Sequence, residues 1–115
     1  MGPLKDIKAI EFSGIGPGPY CGMLLADLGA DVIRVSRKET KGLQNKFDVH
    51  NRSKRSIAVD LKNNESVEEL LKLIAQVDAV IEGFRPGVME KLNLGPDDCL
   101  KVNPKLVYGR MTGWG

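Results

Sequence analysis

The chain has 115 residues, of which 42% are hydrophobic and 28% charged, a composition typical of one globular domain. Seventeen Lys and Arg against fifteen Asp and Glu give a net charge of +2, which argues against a nucleic-acid-binding surface. Cys21 and Cys99 lie far apart, so neither a disulfide framework nor a zinc site is indicated. No run reaches the ~20 apolar residues of a membrane span. We therefore expect an intracellular protein with no metal site and no membrane span.

The first part of the chain predicts a strand, a loop, a helix and a second strand. Residues 7–12 alternate apolar and polar side chains, and a run rich in glycine and proline follows. Pro19 suits a first helical turn and Gly29 a left-handed stop, so we expect a helix over residues 19–28. Residues 31–35 form the second strand, which predicts a parallel crossover. The apolar face of the helix consists of Met23, Leu24, Leu25 and Leu28.

The rest of the chain predicts three more strands, over residues 56–59, 79–81 and 106–108. Residues 38–55 are polar and basic and predict a long surface loop. A helix capped by Asn64 or Ser66, with Glu69 completing a capping box, has Val67, Leu70, Leu71 and Ile74 at helical spacing. Shorter helices are expected over residues 86–92 and 96–102. Residues 1–115 thus predict an α/β fold, a doubly wound, mostly parallel, Rossmann-like sheet flanked by helices.

The glycine-rich loop is a candidate phosphate-binding segment. Gly14, Gly16 and Gly18 follow a strand and precede a helix, the context in which a ligand can approach the backbone closely. A dinucleotide fingerprint wants its third glycine where this chain has Pro19, and Pro17 and Pro19 remove two amide donors. Ordinary NAD binding is therefore disfavoured, although a turn that merely connects strand to helix stays an alternative.

The end of the second strand points to a phosphorylated ribose. An NAD site would place Asp or Glu there for the ribose hydroxyls, whereas this chain has Ser36 and Arg37. The guanidinium fork of an arginine can pair two phosphate oxygens, as in NADP or the 3′-phospho-ADP of CoA. Arg37 is the leading ligand-binding candidate, and its alternative is a solvated surface charge.

Three blocks in order resemble the class III CoA-transferases, the L-carnitine dehydratase and bile-acid-inducible protein family. They are residues 11–19, residues 25–35 and residues 60–62; residues 81–88, 94–96, 103–104 and 113–115 continue the likeness over nearly the whole chain. The blocks are most similar to the branch of the family that racemises α-methylacyl-CoA thioesters. The turn-like end at residues 112–115 leaves the last crossover open, so we expect a piece of a longer protein.

The resemblance implies a CoA-binding domain and an interlocked homodimer. Arg37 would meet the ribose 3′-phosphate, Ile15 would pack nearby, and Gly83 and Arg85 would border the same cleft. Lys91 would add a cation. CoA would be the carrier portion of an acyl-CoA substrate, with no prosthetic group. The adenine and phosphate site at the end of the third strand would be lined by Val59, Asp60, Leu61 and Lys62.

The acid–base chemistry of a racemase needs one group to remove the α-proton and another to return it. The resemblance implies a His and an Asp beyond residue 115, so no catalytic residue is expected within this chain. His50 is interpreted as a surface histidine. Cys21 lies early in a helix, where a thiol pKa can be lowered, yet a small buried side chain is its commoner role.

Three alternatives stay open. A CoA-transferase of the same family would move CoA between carboxylic acids and use an Asp in the missing region. A non-catalytic module binding a phosphorylated nucleotide, or an NADP-type domain, would need only the loop and Arg37. An isolated segment with an uncovered apolar face could also swap domains. The basic residues Arg52, Lys54 and Arg55 are interpreted as a solvated face or an oligomer contact rather than as site residues.

Overall fold

The computed structural model describes residues 2–12, 17–37 and 54–112. Within these ranges the chain forms five strands and four helices. In chain order they are β1 (Lys8–Phe12), α1 (Pro17–Asp27), β2 (Asp31–Arg37), β3 (Arg55–Val59), α2 (Asn64–Ile74), β4 (Ala79–Glu82), α3 (Val88–Lys91), α4 (Pro96–Val102) and β5 (Val107–Arg110).

The five strands form one parallel sheet in the order β3-β2-β1-β4-β5. The chain moves from central β1 outward through β2 to β3, then returns across the sheet to β4 on the other side of β1. This is the doubly wound arrangement that the element order predicts, and the expectation is confirmed. The reversal places a topological switch point between β1 and β4, where open parallel sheets hold their ligands.

The two faces of the sheet are packed differently. Ile10 and Phe12 of β1 belong to a large apolar cluster with Leu70 and Ile74 of α2. Ala9, on the opposite face, belongs to a small cluster with which residues of α1 are packed. Residues 9–12 are all buried, because a parallel strand in the middle of a sheet is covered from both sides.

Helix α2 has the apolar face that its spacing predicts, but a different cap. Val67, Leu70 and Ile74 are buried. The N-cap is Asn63, whose Oδ1 accepts hydrogen bonds from the backbone N–H of Glu65 at 2.9 Å and of Ser66 at 3.1 Å. The expectation of a cap at Asn64 or Ser66 is wrong, since Asn63 is the last extended residue before the helix and its oxygen reaches two free amide donors.

Helix α1 begins two residues earlier than predicted, and only part of its expected apolar face is buried. Met23 is buried, whereas Leu24 is 43% and Leu28 45% exposed. The sheet beneath α1 offers a small apolar patch, so the helix packs along a narrow stripe. Gly29 ends the helical region with a φ of +105°, the left-handed conformation that its glycine predicts.

Sheet pairing extends three strands beyond their predicted ends. β2 continues to Arg37, which pairs with Val59. β4 runs to Glu82 and β5 to Arg110, and these two residues pair with each other. Neighbouring strands supply hydrogen bonds that the apolar pattern of a single strand does not reveal. In the described ranges, no helix has the length and apolar character needed to cross a membrane.

Candidate functional site

The ends of β2, β3 and β4 bring most of the predicted site residues to one edge of the sheet. Every strand runs in the same direction, so the segments that follow β1 to β5 leave from a common carboxyl edge. The predicted residues flank three of these exits, after β2, β3 and β4. The loop between β1 and α1, with Gly14, Ile15 and Gly16, lies outside the described residues. His50, which follows β2, also lies outside them.

Arg37 is the last residue of β2, at the carboxyl edge beside Val59 of β3. Its backbone is therefore one strand away from the exit that carries Asp60. The side chain of Arg37 lies outside what the structure describes, so its contact with a phosphate stays a prediction.

The exit of β3 is a tight turn held by its own carboxylate. Asp60 Oδ1 accepts a hydrogen bond from the backbone N–H of Lys62 at 3.1 Å, and the Asp60 carbonyl accepts one from Asn63 N–H. Leu61 is only 5% exposed and packs in the large apolar cluster, so its backbone is the part that remains for a ligand. Lys62 is exposed. The turn thus presents one ammonium group beside the half-buried Val59.

The exit of β4 carries Gly83 and Arg85. Gly83 lies directly after Glu82 and is exposed, and Arg85 is exposed two residues further on. Gly87 then turns the chain into α3 with a φ of +88°, a conformation that favours glycine. Lys91, at the end of α3, is also exposed.

Three side-chain charges in this region form no hydrogen bond or ion pair with the described part of the chain, those of Lys62, Arg85 and Lys91. Lys62 follows β3 and Arg85 follows β4, and three strand spacings separate these exits. At about 4.8 Å per spacing, the backbone positions from which Lys62 and Arg85 extend lie on the order of 14 Å apart. Only an extended anion can use both, which fits a ligand with phosphates at two places.

Lys54 is not part of a solvated basic face. Its Nζ lies 2.5 Å from Glu11 Oε1, both side chains are fully buried, and it also donates to the Pro19 carbonyl at 3.0 Å. The interpretation of Lys54 as solvent-facing is therefore wrong. Arg55 instead forms an exposed pair with Asp31, at the amino edge of the sheet, and Arg52 lies outside the described residues.

A second buried carboxylate, Glu82, ends β4. It is 2% exposed; its Oε1 accepts from the Phe84 backbone N–H at 2.9 Å and its Oε2 from Arg110 Nε at 2.7 Å. The other two nitrogens of Arg110 donate to the carboxylate of Glu90 at 2.9 and 2.7 Å. Glu82, Arg110 and Glu90 are hereafter the β4–β5 clamp.

The pKa of Glu90 reflects this pairing. Its hydrogen bonds to Arg110 lower the pKa of the carboxyl to about 2, while the same bonds raise the pKa of Arg110. Sequence reasoning missed all three clamp residues. Strand register is a signal that could have found two of them, because Glu82 and Arg110 are direct partners across β4 and β5.

An open cavity of about 330 Å³ adjoins the clamp. It lies at the carboxyl edge of β4 and β5, away from the exits of β2 and β3. Each guanidinium nitrogen of Arg110 already donates to a carboxylate, so the cavity has no uncommitted guanidinium for a phosphate. Its lining is formed by Glu82, Phe84, Pro86, Gly87, Glu90, Arg110, Met111 and Thr112.

Neither cysteine has the environment of a nucleophile. Burial, followed by the negative charge of Glu11, raises the pKa of the Cys21 thiol, so the lowered value that its helical position permits is not found. Burial raises the pKa of Cys99 to about 11, and its thiol donates to the Leu94 carbonyl at 3.4 Å. Across the described ranges, no group of three or more His, Cys, Asp or Glu side chains could hold a metal ion.

Curated relatives agree with this chain over nearly all its length. The α-methylacyl-CoA racemase of Mus musculus is 47% identical over 112 residues, which cover 97% of this chain and 28% of the racemase. The α-methylacyl-CoA racemase of Homo sapiens is 44% identical over 114 residues, with the same two shares. The chain therefore spans less than a third of the length of these racemases.

A solved structure shares the fold. The crystal structure of Rv3272 from Mycobacterium tuberculosis superposes with a TM-score of 0.89 at 40% identity and covers 100% of this chain and 34% of its own. The curated name of that protein is "Probable fatty acyl-CoA transferase Rv3272". The parallel sheet described above is thus the sheet of a CoA-transferase family III protein.

The model of one protein family matches residues 4–115, almost the whole chain. Racemases and acyl-CoA transferases both occur among the relatives, as the sequence resemblance leads one to expect. On this evidence the chain belongs to CoA-transferase family III.

Proposed function

We propose that this chain is the CoA-binding part of an α-methylacyl-CoA racemase, which inverts the methyl-bearing α-carbon of a branched acyl-CoA thioester. The observation that carries the proposal is the set of exposed cations at the carboxyl edge that form no ion pair with the residues the structure describes, in a chain 47% identical to a racemase. Charged donors of this kind pair strongly with phosphate oxygens. CoA offers them a 3′-phosphate and a diphosphate.

The binding geometry follows from the strand exits. Arg37 and Lys62, at the ends of β2 and β3, would bind the ribose 3′-phosphate side of CoA, with Val59, Asp60 and Leu61 beside the adenine. Gly83, Arg85 and Lys91 would border the cleft across the switch point, and Ile15 would pack from the loop after β1. The reactive thioester would then lie away from these residues.

The chemistry of racemisation would be supplied by other parts of the protein. Removing and returning the α-proton takes two acid–base groups on opposite faces of the substrate, and the family resemblance implies a His and an Asp beyond residue 115. This chain would contribute by fixing the CoA carrier, so that binding energy remote from the reacting carbon orients the thioester.

The binding proposal is tested by calorimetric titration of the full-length protein with CoA. Lys62→Ala and Arg85→Ala should each weaken binding roughly tenfold, the effect of losing one charge-assisted hydrogen bond. Arg55→Ala is the matched control, because Arg55 is paired with Asp31 at the opposite edge. Equal affinity of all three variants and the wild type would contradict the proposal, as would displacement of CoA by NADP at similar concentration.

A second candidate is a family III CoA-transferase, favoured by the 40% identity to the M. tuberculosis transferase. The two activities differ in one measurable step. A racemase incorporates deuterium at the α-carbon of a 2-methylacyl-CoA in deuterated water, whereas a transferase moves CoA to an added carboxylate. Transfer without α-exchange would replace the racemase assignment and leave the CoA site in place; binding without either activity would indicate a nucleotide-binding module.

Assembly and location are part of the same proposal. We propose a homodimer of the full-length protein, which sedimentation would detect at twice the monomer mass, and neither a nucleic-acid partner nor a prosthetic group. We further propose an intracellular location, in the cytoplasm of a bacterium or in the mitochondrion or peroxisome of a eukaryote. Fractionation of the source cells tests that location.

A further inference from the structure

The segment that connects β4 to α3 is held near its start by two contacts of Phe84. Glu82, directly before it, accepts the backbone N–H of Phe84 at 2.9 Å. The Phe84 ring meets Phe12 of β1 edge to face, with centroids 6.3 Å apart at 64°. Gly83 lies between Glu82 and Phe84, and Arg85 directly follows Phe84.

Arg110 connects Glu82 to α3 by hydrogen bonds. Its Nε donates to Glu82, and its two terminal nitrogens donate to Glu90 of α3. The bidentate arrangement has a defined geometry that a lysine cannot reproduce. Lys91 is the next residue after Glu90, so the orientation of the helix that carries Lys91 depends on the same guanidinium.

A buried carboxylate is tolerated only where its charge is paired and its lone pairs are used. Glu82, at 2% exposure, has both oxygens engaged, one by a backbone amide and one by Arg110. A carboxylate used in this way determines the direction in which the chain leaves β4.

We propose that the β4–β5 clamp is a positioning device for CoA, in which Glu82 and Arg110 hold Gly83, Arg85 and Lys91 in place without touching the ligand. This inference rests on the proposed function, since it assigns a purpose to the segment that would border the CoA cleft. Glu82 and Arg110 are therefore positioning residues.

The test is a double-mutant cycle on the full-length protein, with the dissociation constant of CoA measured by calorimetry. Arg110→Lys keeps the charge and loses the fork, and should weaken CoA roughly tenfold, within the usual range for coupled residues. In an Arg85→Ala background the same substitution should weaken CoA binding less than in the wild type, because one of the groups that Arg110 positions is gone. The KM for the acyl-CoA should rise by a similar factor while kcat at saturation stays unchanged.

Glu90→Gln provides a second variant that leaves the buried Glu82–Arg110 pair intact, and Lys72→Gln, which breaks an exposed pair on α2, is the matched control. Weaker CoA binding in Glu90→Gln with no change in Lys72→Gln supports the inference. Unchanged affinity in Arg110→Lys, or additive effects of the Arg110 and Arg85 substitutions, overturns it. If Lys62→Ala and Arg85→Ala both bind CoA like the wild type, the proposed function itself fails.

Discussion

Two neighbouring strands, β1 and β4, each carry a buried glutamate near the carboxyl edge, and the two are neutralised in different ways. Glu11 lies on the α1 face and pairs with Lys54, with neither side chain exposed. Glu82 lies on the other face and pairs with Arg110, which is 32% exposed. The comparison shows that one carboxylate is neutralised within a fully buried pair and the other within a hydrogen-bond network that reaches solvent.

The same comparison separates two classes of cation. Lys54 and Arg110 are committed to carboxylates of the fold, whereas Lys62, Arg85 and Lys91 have no such partner in the described part of the chain. Substituting a committed cation should therefore lower the free energy of unfolding, whereas substituting an uncommitted one should weaken ligand binding without that loss. The predictions below test this division, from the largest expected effect to the smallest.

Breaking the fully buried pair should have the largest effect. Lys54→Met leaves the Glu11 carboxylate buried without its ammonium partner, and we expect the free energy of unfolding to fall by about 3–5 kcal/mol. Urea denaturation measures the change. The control is Lys72→Gln, whose pair with Glu69 is about three-quarters exposed and should contribute at most ~0.5 kcal/mol. Similar losses in both variants would contradict the burial argument.

Crowding the same pair from α1 should have a smaller effect. A Cβ on Gly22 would overlap Glu11 Oε1 and lie 3.1 Å from Lys54 Nζ, whereas a Cβ on Gly18 would meet nothing within 4 Å. We expect Gly22→Ala to destabilise the fold by about 1–3 kcal/mol through overpacking. Gly18→Ala, on the same helix, should be neutral or slightly stabilising. Equal unfolding midpoints for the two variants would refute the close approach.

Weakening the partly exposed Glu82–Arg110 pair should lower the free energy of unfolding by a still smaller amount. Glu82→Gln keeps an oxygen for the Phe84 amide and removes the charge that faces Arg110. Because Arg110 can turn toward water and retain Glu90, we expect a loss of about 1–2 kcal/mol, at or below the lower end of the range for one hydrogen bond to a charged group. Urea denaturation again gives the value, and a loss as large as that of Lys54→Met would remove the distinction between the two glutamates.

The pairing of Glu90 with Arg110 should make the free energy of unfolding depend on pH. Glu90 has a pKa of about 2 in the folded chain against an ordinary value of 4.5. A carboxyl whose pKa is lowered by folding stabilises the protein above its unfolded pKa, and this contribution is lost as the pH falls from about 4.5 toward 2. The stability difference between wild type and Glu90→Gln should therefore shrink between about pH 6 and about pH 2.5. A constant difference would mean that Glu90 is unpaired.

Local patterns were sufficient for much of the fold. The helical spacing of Val67, Leu70 and Ile74 predicts the buried face of α2, and Gly29 marks the end of α1. These features depend on neighbours within one or two turns. The parallel sheet follows from the alternation of strands and helices, because a crossover helix returns the chain in the same direction.

Other features depend on residues that are distant in sequence. Lys54 belongs to a polar run and gives no local sign of burial, since its partner Glu11 precedes it by 43 positions. Arg110 and Glu82 become partners only through the register of β4 and β5. For the predicted site, the strand ends place Arg37, Lys62 and Arg85 at one edge, whereas their contacts with CoA remain predictions.

The most direct test of the account is to titrate the full-length protein with CoA and with dephospho-CoA, which lacks the 3′-phosphate, in the wild type and in Arg37→Ala. We predict that the wild type prefers CoA by about tenfold or more, the strength of a charge-assisted contact to phosphate. Arg37→Ala should bind both compounds alike, at the wild-type affinity for dephospho-CoA. A wild type that does not distinguish the compounds, or a preference that survives in Arg37→Ala, would contradict the assignment of this edge as the CoA site.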